Sequence, residues 1–323
     1  MRFLGRGGSG PKESAEARGV REQREGQSQR MVEAGGIPLE AEERIQRQLE
    51  QGGVWTSDLS VDELAALRAV GYEPVAQVLG SSLYRLSWIS TGWGLGAGLG
   101  GVRGASAWGA IQPEENQALT RALMEARSRA IHRLVLEAQG LRADGVVGVR
   151  LTVQHWDWAQ GMSEFTVLGT AVRRNGAEPP AEPFTSTLSG QDLAKLLSTG
   201  YAPVRLVMGA SAQQAIMIYG YSTWFNREVA PFTRALHQAQ TASNQRIGLE
   251  ASQAGASGVV GVEFSSNVVE YSTGTESVLG RIVEWVMLGT AVAPQSGTAP
   301  SPAPTLVMPL RSRRTLDGGS TLP

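Results

Sequence analysis

Residues 56–75 read TSDLSVDELAALRAVGYEPV, and residues 185–204 read TSTLSGQDLAKLLSTGYAPV. Thr, Ser, Leu, Ala, Gly, Tyr, Pro and Val recur at the same places in the two stretches, without a gap. In each stretch a Ser stands three residues before an acid, which predicts a short capped helix. A Gly then ends the helix, and a strand is expected to follow at Tyr72–Leu79 and at Tyr201–Met208.

Two further blocks recur in the same order along the chain. RADGVVGVRL at 142–151 matches ASGVVGVEF at 256–264 through the shared GVVGV. SEFTVLGTAV at 163–172 matches VEWVMLGTAV at 283–292 through the shared LGTAV. Three matches in the same order indicate an internal duplication.

Each copy is interpreted as a β-α-β-β module. Long helices are expected at about 114–140 and 229–254, because Leu and Ala recur there at three- and four-residue spacing. The sequence therefore predicts an α+β chain with tandem modules at 55–175 and 184–294, joined by a linker at 176–183. One helix on a small antiparallel sheet leaves the other sheet face uncovered, so that face needs the second module or another subunit.

The first copy resembles a known family. Its helix sequence EARSRAIHRLVLEA, followed by ADGVVGVRL and SEFTVLGTAV, is similar to the YbjQ-like family, which is labelled as heavy-metal-binding. The resemblance implies dodecin-like β-α-β-β modules, each a long helix on a small antiparallel sheet. It also implies a homo-oligomer that assembles into a ring, commonly a pentamer.

The chain departs from this family pattern in two places. Glu-Ala-Arg at 125–127 becomes Gln-Ala-Gln at 238–240, so the charged pair occurs in one copy alone. Residues 87–111 form a Gly- and Trp-rich insertion, which we interpret as a flexible flap, a partner surface or a membrane contact through interfacial Trp. The insertion carries three tryptophans, which are Trp88, Trp93 and Trp108.

The strongest candidate for a metal site is a pair of residues on one strand face. His155 and Asp157 are two residues apart, and Glu270 occupies the position of Asp157 in the second copy. Imidazole and carboxylate are suitable ligands, but two ligands fall short of the usual three or four, so a solvated hairpin face is the favoured interpretation. Trp156 and Trp158 lie on the opposite face, where they fill a subunit interface or stack on a flat ligand.

Charged residues at matched positions suggest contacts that both copies keep. Glu164 and Glu284 are equivalent, as are Arg133 and Arg246. An acid on an apolar strand that faces a helical Arg predicts a structural ion pair or a subunit contact, since either charge alone would be costly to bury. A ligand-binding pair inside a ring cavity is the functional alternative.

The ends of the chain differ in composition from the modules. Residues 1–37 are rich in Gly, Glu, Arg, Gln and Ser, which predicts a disordered tail, and residues 38–54 predict a short helix and linker. Residues 295–323 predict a second disordered tail, rich in Pro and Ser, in which 306–314 is an apolar and basic island suited to docking.

Composition excludes several function classes. The formal net charge is −1, so no global field attracts nucleic acid, and the absence of Cys excludes thiolate metal sites and Cys nucleophiles. We expect a cytoplasmic protein without a cofactor, apart from the metal considered above. No catalytic constellation is visible, so an enzyme is the weakest hypothesis.

The sequence therefore favours a non-enzymatic, ring-forming assembly or scaffold protein. Its partners are expected to bind through the insertion at 87–111 and through the C-terminal tail. The alternative is a small-ligand or metal-binding protein that uses pockets between modules.

Overall fold

The computed structural model of this chain describes residues 15–51, 54–85, 113–155, 162–218, 228–272 and 278–295. Within these ranges the chain is α+β, as predicted, with six helices and two four-stranded sheets. The helices are α1 Ala15–Glu33, α2 Leu39–Gln51, α3 Val61–Ala69, α4 Gln117–Gly140, α5 Gly190–Ser198 and α6 Ala230–Gln253. The strands are β1 Tyr72–Arg85, β2 Glu114–Glu115, β3 Gly145–His155, β4 Met162–Arg174, β5 Phe184–Thr185, β6 Tyr201–Ile218, β7 Gly258–Ser272 and β8 Val278–Pro294.

The short helices α3 and α5 begin at the serines that the sequence predicts as caps. Ser60 Oγ accepts the Glu63 N–H at 3.2 Å, and a Glu63 carboxylate oxygen accepts the Ser60 N–H at 2.6 Å, which completes a capping box. Ser189 Oγ accepts the Asp192 N–H at 3.1 Å in the same way. Gly71 then adopts a φ of +83°, which turns the chain into β1 at little steric cost.

The two sheets share one plan. The first has the strand order β1-β4-β3-β5, and the second has the order β2-β6-β8-β7. In each sheet three long antiparallel strands stand beside one two-residue strand. The register shifts between Pro74 and Ala76 in the first sheet and between Pro203 and Arg205 in the second, and these two prolines occupy the same position in the repeated sequence.

Each sheet packs against its own long helix at a glycine of the first long strand. A Cβ added to Gly80 would lie 1.9 Å from the carbonyl oxygen of Ala130 in α4. One added to Gly209 would lie 2.0 Å from the carbonyl oxygen of Ser243 in α6. Strand and helix backbones therefore touch at these two places, and a side chain there would force them apart.

An acid near the end of each long helix, buried for Glu137 and partly buried for Glu250, hydrogen-bonds the strand beside it. Glu137 accepts the backbone N–H of Leu79 at 2.9 Å, and Glu250 accepts the backbone N–H of Met208 at 2.7 Å. Burial is the largest influence on both carboxyl groups and raises their pKa, while these hydrogen bonds lower it. The two contacts satisfy edge-strand donors that the sheet leaves without a partner strand.

The two-residue strands connect the halves of the chain. Strand β2, which precedes α4, pairs with β6 of the second sheet, where Glu115 lies opposite Gln213. Strand β5 pairs in parallel with β3 of the first sheet, where Phe184 lies opposite Gly145. Each half therefore adds a short edge strand to the sheet of the other half.

Helix α4 lies between the two sheets. One side of α4 packs on β1 and β4, and the other packs on the outer face of the second sheet, which α6 does not contact. Residues of the second sheet thereby join the core of the first: Leu206, Met208, Ala212, Ile282 and Leu288. The sequence predicts that a sheet face needs a partner, and for the second sheet that partner is α4 of the same chain.

The prediction of a disordered tail over 1–37 was wrong for residues 15–33, which form α1. The segment is rich in Ala, Arg, Glu and Gln, which have high helix propensity. It also packs against α2 through an ion pair between Arg24 and Glu43 at 2.7 Å and a hydrogen bond from Ser28 to Glu40 at 2.9 Å. Residues 1–14 and 296–323 lie outside the described residues, as does the insertion at 87–111.

Candidate functional site at the junction of the two sheets

The carboxylate of Glu115 ties the two halves of the chain together. Both of its oxygens accept from the Arg246 guanidinium, at 2.7 and 2.8 Å. One oxygen also accepts from the hydroxyls of Ser211, at 2.7 Å, and of Thr120, at 3.2 Å. The hydrogen bond from Arg246 is the largest influence on the Glu115 carboxyl and lowers its pKa, so the carboxyl is ionised at neutral pH.

Backbone hydrogen bonds continue this contact. Asn116 N–H donates to the Ala212 carbonyl at 2.8 Å, and Ala212 N–H donates to the Thr120 hydroxyl at 3.0 Å. The edge of β6 is therefore covered by the segment that leads into α4. Because side-chain and backbone donors are both used, the junction has a fixed register.

An aromatic contact holds the other side of the junction. The Phe184 ring lies over Gly145, whose missing side chain makes room for it, since a Cβ there would be 2.3 Å from the ring. Phe184 also meets Tyr72 edge-on, with ring centroids 6.0 Å apart. Ser186 N–H donates to the Val146 carbonyl at 2.9 Å, which extends the pairing with β3.

Arg127 of α4 is buried in the middle of the junction, with 2% of its surface exposed. Its guanidinium carbon lies 4.8 Å from the centre of the Phe165 ring. Burial lowers the pKa of Arg127 to about 10, and the charge of Glu284 on the second sheet opposes that change. The side chain therefore stays charged at neutral pH, balanced by Glu284 and the face of the Phe165 ring.

Some positions that are buried in the first sheet have exposed counterparts in the second sheet. Tyr72 and Val149 of the first sheet are 9% and 0% exposed, while their counterparts Tyr201 and Val262 are 39% and 42% exposed. These positions are covered in the first sheet because the second half packs there. In the second sheet they have no such cover within the described residues.

The outer sheet faces differ in the opposite direction. Ala212 of the second sheet is 0% exposed beneath α4, while its counterpart Leu83 of the first sheet is 55% exposed. Met208 is likewise buried, and its counterpart Leu79 is exposed. The chain therefore presents an apolar helix side at one end and an apolar sheet face at the other.

The candidate metal residues are placed as follows. His155 ends β3 of the first sheet, and Glu270 lies on β7 of the second, so the backbone puts them on different sheets. Asp157 lies outside the described residues. Within the described ranges no group of three or more His, Cys, Asp or Glu residues is arranged to hold a metal ion. The metal site stays a prediction.

The predicted partners of the matched arginines differ from those in the structure. Arg246 pairs with Glu115, which the sequence reasoning missed, and not across the sheet with Glu284, whose side chain lies on the α4 side. Arg133 donates to the carbonyl oxygens of Ser81 and Val32. Glu164 accepts from the Thr166 hydroxyl at 3.3 Å. Alternation along β4 and β8 puts both acids on the faces away from their own helices, which explains the difference.

The tryptophan predictions all fall outside the described residues. They concern the insertion at 87–111, with Trp88, Trp93 and Trp108, and the strand connection with Trp156 and Trp158. Among the helices that the structure describes, none is long and apolar enough to cross a membrane.

Comparison with known proteins gives short matches to one family. Residues 110–175 match the YbjQ family, described as "Putative heavy-metal-binding". A UPF0145 protein from Psychrobacter arcticus is 46% identical over 59 residues, which cover 18% of this chain and 36% of that protein. A UPF0145 protein from Acinetobacter baylyi is 43% identical over 58 residues, which cover 18% of this chain and 52% of that protein. The predicted YbjQ-like resemblance is confirmed.

A longer match covers both halves of the fold. The encapsulin nanocompartment protein Rv1762c from Mycobacterium tuberculosis is 36% identical over 267 residues, which cover 80% of this chain and 92% of that protein. A match of this identity over nearly the whole relative is more than a shared segment. The chain belongs to the family of the encapsulin nanocompartment protein Rv1762c and carries a YbjQ-like segment within it.

Proposed function

We propose that this chain is a non-enzymatic assembly protein of a nanocompartment, and that it builds the assembly by packing head to tail with further copies of itself. The name of the mycobacterial relative supports the nanocompartment. The position of α4 on the outer face of the second sheet supports the head-to-tail packing. That single packing contact carries the proposal, because it leaves the complementary surfaces open at the two ends of the chain.

The two open ends are named by their residues. The helix surface consists of α6, Glu228 and Val262 of β7. The sheet surface consists of the outer face of the first sheet, with Leu79 and Leu83. Within the chain, the counterparts of these surfaces are in contact with each other. We propose that the halves are tandem copies of one dodecin-like module, and that chains join by the same contact that joins the copies.

A head-to-tail contact either closes into a ring or extends into a filament. We propose a ring, in line with the YbjQ-like resemblance. Because each chain supplies two modules, a ring of whole chains contains an even number of modules. A ring of five chains contains ten modules and meets this condition, whereas a ring of five modules does not.

The insertion at 87–111 and the C-terminal segment at 295–323 are proposed as docking elements for other proteins of the compartment. The proposal rests on the Trp and Gly content of the first and on the apolar and basic residues at 306–314 of the second.

The mass of the purified chain tests the proposed function. We expect a particle of several copies, with a mass that is a whole-number multiple of 34.3 kDa, in size-exclusion chromatography with light scattering. The apolar residues exposed on the helix and sheet surfaces are the physical reason. A clean 34.3 kDa monomer at the highest concentration that the protein tolerates would contradict the proposal.

A further inference from the structure

We propose that the carboxylate of Glu228 in one copy binds Arg133 and Ser82 of a second copy, and thereby joins the helix surface to the sheet surface. The proposal rests on the proposed function and names the contact that carries it. Its occupant is a second copy of this chain, because the contact already exists once within the chain. There Glu115 binds Arg246 and Ser211.

The charged partners are kept at matched positions. When α4 and α6 are aligned through the GVVGV block that follows each of them, Glu228 falls on Glu115, and both acids stand just before their helix. The same alignment places Arg133 of α4 on Arg246 of α6. Both arginines donate to the strand beside them, Arg133 to the Ser81 carbonyl and Arg246 to the corresponding carbonyl, so their guanidinium groups are held alike.

The hydroxyl partners are kept as well. Ser82 of β1 is the counterpart of Ser211 of β6, and Thr233 of α6 is the counterpart of Thr120 of α4. All four residue types of the internal contact are therefore present a second time, divided between the two ends of one chain. Within one chain, Glu228 and Thr233 are far from Arg133 and Ser82. The presence of both sets therefore points to a second copy, in which one set meets the other.

The receiving side lacks a carboxylate in the described residues and borders an open groove, which is lined in part by the buried Ser82. In the described part of the chain no Asp or Glu oxygen lies within 4.0 Å of the Arg133 guanidinium, which contacts the Val32 carbonyl at 3.4 Å. An open groove of about 810 Å³ borders Ser82, Leu83 and Arg133 beside α1 and α2. Glu228 is exposed in its own chain. The groove gives an incoming segment access to the edge of β1.

An aromatic contact at the opposite edge supports the same orientation. Trp55 occupies the position of Phe184 in the first copy and is partly exposed. Gly258, the counterpart of Gly145, has open space beside it, since an added Cβ would meet a single atom, 3.9 Å away. Tyr201, the counterpart of Tyr72, is exposed. Trp55 of one copy would cover Gly258 and Tyr201 of the next copy, as Phe184 covers Gly145 and Tyr72 within the chain.

The contact between copies differs from the internal one at two positions. Gln240 replaces Arg127, so a neutral amide approaches Glu164 where the internal contact has a buried charge. Val61 replaces Gly190, whose added Cβ would lie 2.7 Å from the Glu63 carbonyl, so α3 and α5 must stand further apart between copies. Both changes weaken the contact between chains relative to the contact within a chain.

Charge reversal on separate chains tests the proposal. Glu228→Arg and Arg133→Glu should each weaken self-association by about a hundredfold or more, because like charges then meet across the contact. An equal mixture of the two variants should associate again, since each mixed contact pairs an Arg with a Glu. Because a ring of five chains cannot alternate the two variants throughout, recovery is read as any mass above that of the monomer. The readout is mass by light scattering, with thermal unfolding to show that each variant is folded, and Glu178→Arg serves as an exposed charge-matched control.

The outcomes separate the two proposals. Loss of assembly in both variants with recovery on mixing supports the Glu228 contact. If the wild-type protein and both variants assemble equally well, the Glu228 contact is overturned and the proposed function stands. Variants that are folded, monomeric and not recovered by mixing also overturn it. A wild-type chain that never assembles overturns the proposed function itself.

Discussion

Gly80→Ala should cost more than about 3 kcal/mol of the free energy of unfolding, because overpacking of a tight backbone contact exceeds the usual cost of an added methyl group. The new Cβ would lie 1.9 Å from the Ala130 carbonyl oxygen and 2.7 Å from the Leu134 nitrogen. These atoms belong to the hydrogen-bonded backbone of α4, so they cannot rotate away as a side chain would. We expect Gly209→Ala to act in the same way through Ser243 in α6.

Urea denaturation of both variants measures this loss, and Gly248→Ala is the matched control. Gly248 lies inside α6, and outside the backbone of its own helix no atom lies within 4 Å of an added Cβ. Alanine there should stabilise the chain by about 0.5–1 kcal/mol through helix propensity. Equal small effects at all three glycines would show that the strand and helix backbones do not touch.

Arg127→Met should destabilise the chain by about 3–5 kcal/mol, because it takes away the buried cation that balances the charge of Glu284. Both side chains are almost fully buried in the junction. The methionine keeps most of the side-chain volume over the Phe165 ring. The loss of stability therefore measures the removal of the charge and not the creation of a cavity. Denaturation of the full chain at neutral pH measures it, since Arg127 is charged there with a pKa of about 10.

Two further variants identify the cause of that loss. Arg127→Met combined with Glu284→Met should recover most of the stability, because two apolar side chains of similar volume replace the two buried charges. Arg121→Met, at an exposed position on the same helix α4, should change the free energy of unfolding by less than about 0.5 kcal/mol. No recovery in the double variant would show that Arg127 is needed for a reason other than Glu284.

Local signals made part of the fold predictable. The capped helices at Ser60 and Ser189, and the turns at Gly71 and Gly200, are set by residues within one turn of each other, so the sequence alone predicts them. The α1 segment was missed because its composition has few large apolar residues. Its helix depends partly on side-chain pairing with α2, which composition does not show.

The candidate site was harder to predict because its partners are far apart in the chain. Glu115 binds Arg246, which belongs to the other half of the chain, and no local pattern links the two residues to each other. Helix α4 covers the second sheet by tertiary packing that no periodicity specifies. One signal was present: the sequence Thr-Arg-Ala-Leu recurs at 120–123 and 233–236, each time shortly after a Glu, at 115 and at 228.

Disulfide trapping tests most directly whether copies join as the two halves of one chain do. The chain has no Cys, so single cysteines can be placed without background. Ala212 and Asn116 are hydrogen-bonded partners within the chain, and their counterparts are Leu83 and Val229. These two positions are exposed in the isolated chain, so a cysteine at either one is free to react.

A mixture of Leu83→Cys and Val229→Cys chains should form a covalent dimer under mild oxidation, read on a non-reducing gel. Leu79→Cys mixed with Val229→Cys is the control, since Leu79 lies on the same strand face about 13 Å away. A dimer from the first mixture and little from the second is the result we predict. An assembled protein that gives no dimer in the first mixture, or equal dimer in both, would contradict the account.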